Sequence, residues 1–236
     1  MSLLTIVQDA CVRVGLARPG TVIGSTADHV KAMITLSNQD GRALVRRHDW
    51  QRLIIEQTFT ATATTTQSGV LPSDFDRIIP GTFFNRSQDR RVAGPLSPQR
   101  WQSLQTGLIT LPYDSFRIRG NDIIMSPTPT AGDSMAFEYV TKYWCASVGD
   151  TDPDQTSWVV DTDEAFLDEE LMTLGVVWRF KKARGLDYGE DMQEYEHRLA
   201  SLAGTDGGQA TIDLGVSDDA SSLTDPYLTD GNWSIS

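Results

Sequence analysis

Residues 161–185, DTDEAFLDEELMTLGVVWRFKKARG, decide the fold expected of this chain, because they restore a helical period after a long non-helical stretch. Acids crowd the first turns of this segment, Lys181, Lys182 and Arg184 occupy its last, and Gly185 comes directly after. That polarity complements the helix dipole at both ends. Leu167, Leu171, Leu174 and Trp178 form the stripe expected to be buried. A further helix comes next, with Tyr188, Met192, Tyr195, Leu199 and Leu202 on one face and a stop at Gly204.

Toward the N-terminus the same period appears twice more. Residues 3–14 place Leu3, Ile6 or Val7, Ala10 and Val14 on one stripe, with Ser2 as N-cap and Gly15 as the stop. A second helix, capped by Ser25 or Thr26, carries Val30, Ile34, Ala43 and Leu44 and runs to about His48 or Trp50. Between these pairs the pattern changes to β-branched residues and turn punctuation: LIIEQTFTATATTT, then the hairpin SFRIRGNDIIMS around Gly120, Asn121 and Asp122, then the strand SMAFEYVTKYW. A short helix, SPQRWQSLQ, has Ser97 as cap and Pro98 at its first position. Each amphipathic helix must bury its stripe on something. The expected class is therefore α+β: a four-helix bundle from residues 1–50 and 161–204, an inserted β-rich domain at 51–160, and an extended C-terminal arm at 205–236.

The 236 residues carry a formal net charge of -12 and a sequence pI near 4.6. Residues 204–236 hold six Asp and no Lys or Arg, and Asp150–Glu170 holds nine acids and no base. Such a surface repels free nucleic acid and anionic membranes, which disfavours a sequence-reading or membrane-bound role. The two cysteines, Cys11 and Cys145, fall in a helix and a strand expected to lie in different subdomains, so no disulfide and a reducing compartment are expected. The N-terminus shows no basic leader and no run of about 18 apolar residues occurs, so a soluble cytoplasmic product is expected.

Searches for chemistry yield little. Gly15 and Gly20 have the spacing of a phosphate loop, but Thr21 stands where Lys is needed and no strand precedes it. Asp150, Asp152 and Asp154 have calcium-loop spacing, but Gln155 replaces the turn glycine and Asp161 the bidentate Glu. His29, His48 and His197 have no ligand spacing. No catalytic, cofactor-binding or metal residue is assigned. Two sets of residues point instead to partners. Arg42, Arg46 and Arg47 form either a solvated, dipole-complementing helix end or a cross-subunit salt-bridge site. The tail spaces Ile212, Leu214, Leu223, Tyr227, Leu228, Trp233 and Ile235 through Gly, Ser, Thr and Asp. It buries too little to order alone, yet carries aromatic anchors suited to ordering on a partner.

Several segments together resemble the head-to-tail adaptors of tailed bacteriophages, the group that includes tail tubular protein A and the tail accessory factors of short-tailed phages. They are ARPGTVIGSTADHVKAMITLSNQDGRALVRRHDWQRL, LPSDFDRII, FRIRGNDIIMSPTPTAGDSMAFEYVTKYWC and LDEELMTLGVVWRFKKARGLDY, in that order across residues 1–204. The resemblance implies a structural protein without catalytic activity: a homo-oligomeric ring, twelvefold, under the portal protein and bound to a tail or nozzle protein. DNA would pass through its channel unread. It implies a place at the head-to-tail junction of the virion after synthesis in the host bacterial cytoplasm, with the C-terminal arm reaching the portal. Two other readings compete: a virion-associated, peptidoglycan-cleaving glycosidase using two of the many carboxylates, and a carbohydrate-binding β block with Trp101, Trp144 or Trp158 as sugar platforms.

Overall fold

A computed structural model describes residues 2–107, 111 and 113–207. In chain order the elements are α1 (Leu3–Arg13), α2 (Asp28–Arg47), a 3-10 turn (Gln51–Leu53), β1 (Ile54–Thr60), β2 (Thr66–Ser68), β3 (Phe75–Ile78), β4 (Phe84–Asn85), β5 (Arg90–Arg91), α3 (Pro98–Gln105), β6 (Ser115–Arg119), β7 (Asp122–Ser126), β8 (Ser134–Thr141), β9 (Cys145–Ala146), β10 (Glu164–Ala165), α4 (Glu169–Ala183) and α5 (Gly189–Asp206). The described residues form two compact units, one of residues up to 54 and from 141 onward, the other of residues 55–140.

In the helical unit, α1, α2 and α5 each pack on α4. The expected four-helix bundle is corrected here, while the α+β class is compatible with what is found. Five helices are present among the described residues, the fifth being α3 within the β unit. α4 is a central helix, not one of four equal members. Its residues Leu171, Met172, Thr173, Leu174, Gly175, Val176 and Val177 are buried in unbroken succession, so it has a covered circumference where one stripe was expected. A helix apolar all round is one enclosed by neighbours. The unit also holds the small β9–β10 pair, Ala146 opposite Glu164 and Cys145 opposite Ala165.

α4 begins later than its acids suggest. Asp168 is its N-cap, accepting from the Leu171 N–H at 2.8 Å. The earlier acids serve other backbone donors: Asp161 accepts the N–H groups of Val22 (3.0 Å) and Ile23 (2.5 Å), and Asp163 those of Val159 (2.6 Å) and Val160 (2.9 Å). A short carboxylate bound to nearby backbone competes with helix formation. α2 likewise starts at Asp28 with Ala27 as a cap that makes no side-chain bond, while Ser25 Oγ accepts the Ala27 N–H at 3.3 Å.

The β unit has a five-stranded sheet in the order β1-β8-β4-β5, with β3 also on β8, and a three-stranded sheet in the order β2-β7-β6. The β6–β7 hairpin pairs Arg119 with Asp122 across Gly120 and Asn121, and Gly120 takes the positive φ (65°) that the turn requires. Phe83, Phe116, Phe137, Met125, Met135 and Ile123 form the core. Phe83 meets Phe116 edge-on at 4.8 Å and Phe137 at 5.6 Å. Full burial of each such ring contributes roughly 1.5–3 kcal/mol.

Candidate functional site

α2 stands out by its charge. Its buried phase is Val30, Met33, Ser37, Asp40, Gly41, Leu44 and Val45. The opposite phase exposes Lys31, Thr35, Gln39, Arg42 and Arg46, so beyond the first turn this stripe has three bases and no acid. Lys31, Arg42 and Arg46 make no ion pair with any described residue. Arg47, the third arginine singled out from the sequence, turns to α5 and pairs with Glu196 at 2.7 Å, a bond that raises its affinity for the proton further. The unit's other bases are mostly engaged. Arg198 pairs with Asp168 and Glu170, Lys181 with Asp191, Arg18 with Asp9 and Arg13 with Glu170. Lys182 lies over the Trp178 and Tyr188 rings, Arg184 over Phe180 and Arg52 over Phe166.

The end of α2 is also where α5 ends. Asp206, the last residue of α5, accepts the Gln51 N–H at 2.8 Å and lies 3.5 Å from Nε2 of His48, the C-cap of α2. The end of α5 is therefore held at the C-terminal end of α2. The anchors expected further along the sequence, Ile212, Leu214, Leu223, Tyr227, Leu228, Trp233 and Ile235, lie outside the described residues.

A buried polar clasp joins the same helices. Asp40, fully buried on α2, receives the Tyr195 hydroxyl of α5 at 2.9 Å and the Arg179 guanidinium of α4 at 2.5 Å. Burial pushes the Asp40 carboxyl up to about 6, against the pull of Arg179, the Tyr195 hydrogen bond and Arg47. Burial beside that carboxylate also raises Tyr195. Its other oxygen lies against Gly175 of α4, where any Cβ would collide with it. Sequence reading missed Asp40, although its spacing from Met33, Ser37 and Leu44 puts it on the apolar phase of α2. This sequence matches no known protein-family model, and no curated protein is a significant match to it.

The β unit carries a groove of about 380 Å³ on its five-stranded sheet, lined by Phe84, Ala136 and Glu138 and crossed by the Glu56–Arg86 pair at 3.0 Å. It is an open, mostly paired surface. Trp101, Trp144 and Trp158 are all buried, so none is a sugar platform. Trp144 and Trp158 belong to the helical unit, where they meet edge-on at 4.8 Å, and Trp158 donates to Ser37 Oγ at 2.8 Å. Cys11 and Cys145 are both free and buried, and both belong to the helical unit, not to two subdomains. Among the described residues no group of three or more His, Cys, Asp or Glu side chains converges as a metal site, and no helix is long and apolar enough to cross a membrane. Asp150, Asp152 and Asp154 are exposed.

Proposed function

We propose that this chain is a structural head-to-tail adaptor of a phage virion. On this reading copies form a ring, twelvefold by the resemblance, under the portal protein. The ring extends the channel through which DNA passes and offers the attachment site for a tail or nozzle protein. It has no catalytic role and needs no cofactor.

The observation that carries the reading is the way the C-terminal segment is launched. α5 ends at a fixed point, with Asp206 held by Gln51, and the sequence then continues for 30 residues with seven large apolar anchors, five Asp and no base. An anchor-bearing extension issuing from a rigid helix end suits docking in a groove of another protein. The overall acid excess supports it further, since DNA passes an electronegative surface without being held by phosphate contacts.

Native mass spectrometry of the full chain and of a chain ending at Gly207, each with and without the portal from the same genome, tests this. Twelve full-length copies on the portal, with none from the shortened chain, is the expected result. Failure of the full chain to join the portal overturns the reading.

A further inference from the structure

We infer that α5 is a salt-sensitive latch: a helix that leaves α4 in one piece while the rest of the helical unit stays folded. The closed form predominates, and the open form is a minor state in equilibrium with it. Nothing in this depends on the portal reading.

α5 is held differently from the other helices of its unit. Of its 18 residues only Tyr195 and Leu199 are buried. α1 buries five of 11 (Leu3, Ile6, Val7, Ala10 and Cys11) and α4 eight of 15. Burial of apolar surface is the main force holding a helix in place, so α5 has the thinnest anchorage. It packs on α4, whereas α1 and α2 pack on α4 and also on each other.

Charge supplies what burial does not. Ion pairs run along α5: Asp191 to Lys181 at 2.6 Å, Glu196 to Arg47 at 2.7 Å, and Arg198 to Asp168 and Glu170 at 3.2 and 3.3 Å. At its end Asp206 accepts the Gln51 N–H at 2.8 Å. The paired side chains keep between 20% and 51% of their exposure. Exposed pairs contribute little each and are screened by salt, but here several act together on one rigid body. One polar contact is buried: the Tyr195 hydroxyl donates to Asp40 at 2.9 Å.

What remains when α5 leaves is tied together without it. The N–H groups of Leu3 and Leu4 donate to the carbonyls of Asp163 and Asp161 at 3.0 and 3.1 Å, and the Asp161 carboxylate binds Val22 and Ile23. Asp40 keeps Arg179 when it loses Tyr195. The connection from Arg184 to Asp187 is exposed, and Gly185 takes a φ of 70°, so a hinge there disturbs no core. Opening uncovers Trp178, whose ring lies 5.9 Å from Tyr195 and 6.4 Å from Tyr188. It also frees the end of α5 from Gln51. A ligand that binds the open form shifts the chain toward a state it already visits.

Hydrogen exchange of the full chain, read by mass spectrometry at pH 7, tests this. Peptides across residues 189–206 are expected to exchange together, and faster than those of α1 and α4. Raising the salt to about 1 M should speed them about tenfold relative to α1. E196K and R47E, each alone, should speed them at low salt and shrink the salt effect, and R47E/E196K should restore much of both. Y195F removes the hydroxyl bond to Asp40, so it should speed α5 while the salt effect persists. Exchange of α5 no faster than that of α1 overturns the inference, as does a ratio of the two that salt leaves unchanged. So does exchange of α1 and α4 in step with α5, since the unit would then open as a whole. A salt effect that varies with protein concentration also overturns it, because contacts between copies would then be the cause.

Discussion

Asp40 is held in the folded chain at the junction of three helices, and its environment makes it a source of pH dependence. Its carboxyl titrates near 3.8 when unfolded and near 6 when buried among Arg179, Tyr195 and Gly175. The folded state therefore binds its proton more tightly, and this group's contribution to stability is fully present below about pH 4 and is lost as pH rises through 6. Replacing Asp40 by Asn removes that component. Relative to the unaltered chain, D40N is expected to gain roughly 2 kcal/mol of stability between pH 4 and pH 7, read from urea unfolding at both values. D40A instead leaves Arg179 buried without its partner, with an expected cost of about 3–5 kcal/mol at pH 7. Gly175 is the other half of this arrangement. G175A drives a methyl group into the Asp40 carboxylate and should cost about 1–3 kcal/mol in the same measurement.

Among the elements, legibility tracked how locally each was determined. The β6–β7 hairpin and α3 were readable because their signals are contiguous: Gly120-Asn121 between two strands, and Ser97-Pro98 at a helix start, where Ser97 Oγ accepts the Arg100 N–H at 3.3 Å. The start of α4 was not. Asp161, Asp163 and Asp168 all look like residues of a helix N-terminus, and only the fold shows that the first two bind backbone at residues 22–23 and 159–160. Asp163, fully buried, organises the turn that leaves Val159 and Val160 exposed. D163A should cost about 1–3 kcal/mol, with amide exchange at residues 159 and 160 accelerated far more than in α1. The basic stripe of α2 was half legible. Arg42, Arg46 and Arg47 were singled out together, but helical phase separates Arg47, which faces α5, from the other two.

For the whole molecule, composition indicated an acidic α+β protein, and the alternation of patterns indicated helices on either side of a β block. The bundle expected from four similar stripes proved to be three helices around a fourth, because an all-round apolar surface such as that of α4 reads, in one dimension, much like a stripe. The candidate site was less legible. The pinning of α5 to the end of α2 links residues 155 positions apart, and no local pattern announces such a pair. At this scale the adaptor reading also predicts inertness: the purified chain should leave the turbidity of a peptidoglycan suspension unchanged. Clearing that is lost on changing one acid would move the glycosidase reading forward.

The pairing of β1 with β8 has one more implication. The β unit is entered through β1 and left through β8, so its two attachment points sit side by side as neighbouring strands of one sheet. To the helical framework, those roughly 85 residues are a single side loop closed at its base. Such a loop can lengthen, shrink or be exchanged in the course of evolution at a small entropic cost, since closure depends only weakly on length. The surface that this unit offers to a partner can therefore change rapidly, while the helices that hold Asp40, Arg179 and Tyr195 together stay as they are.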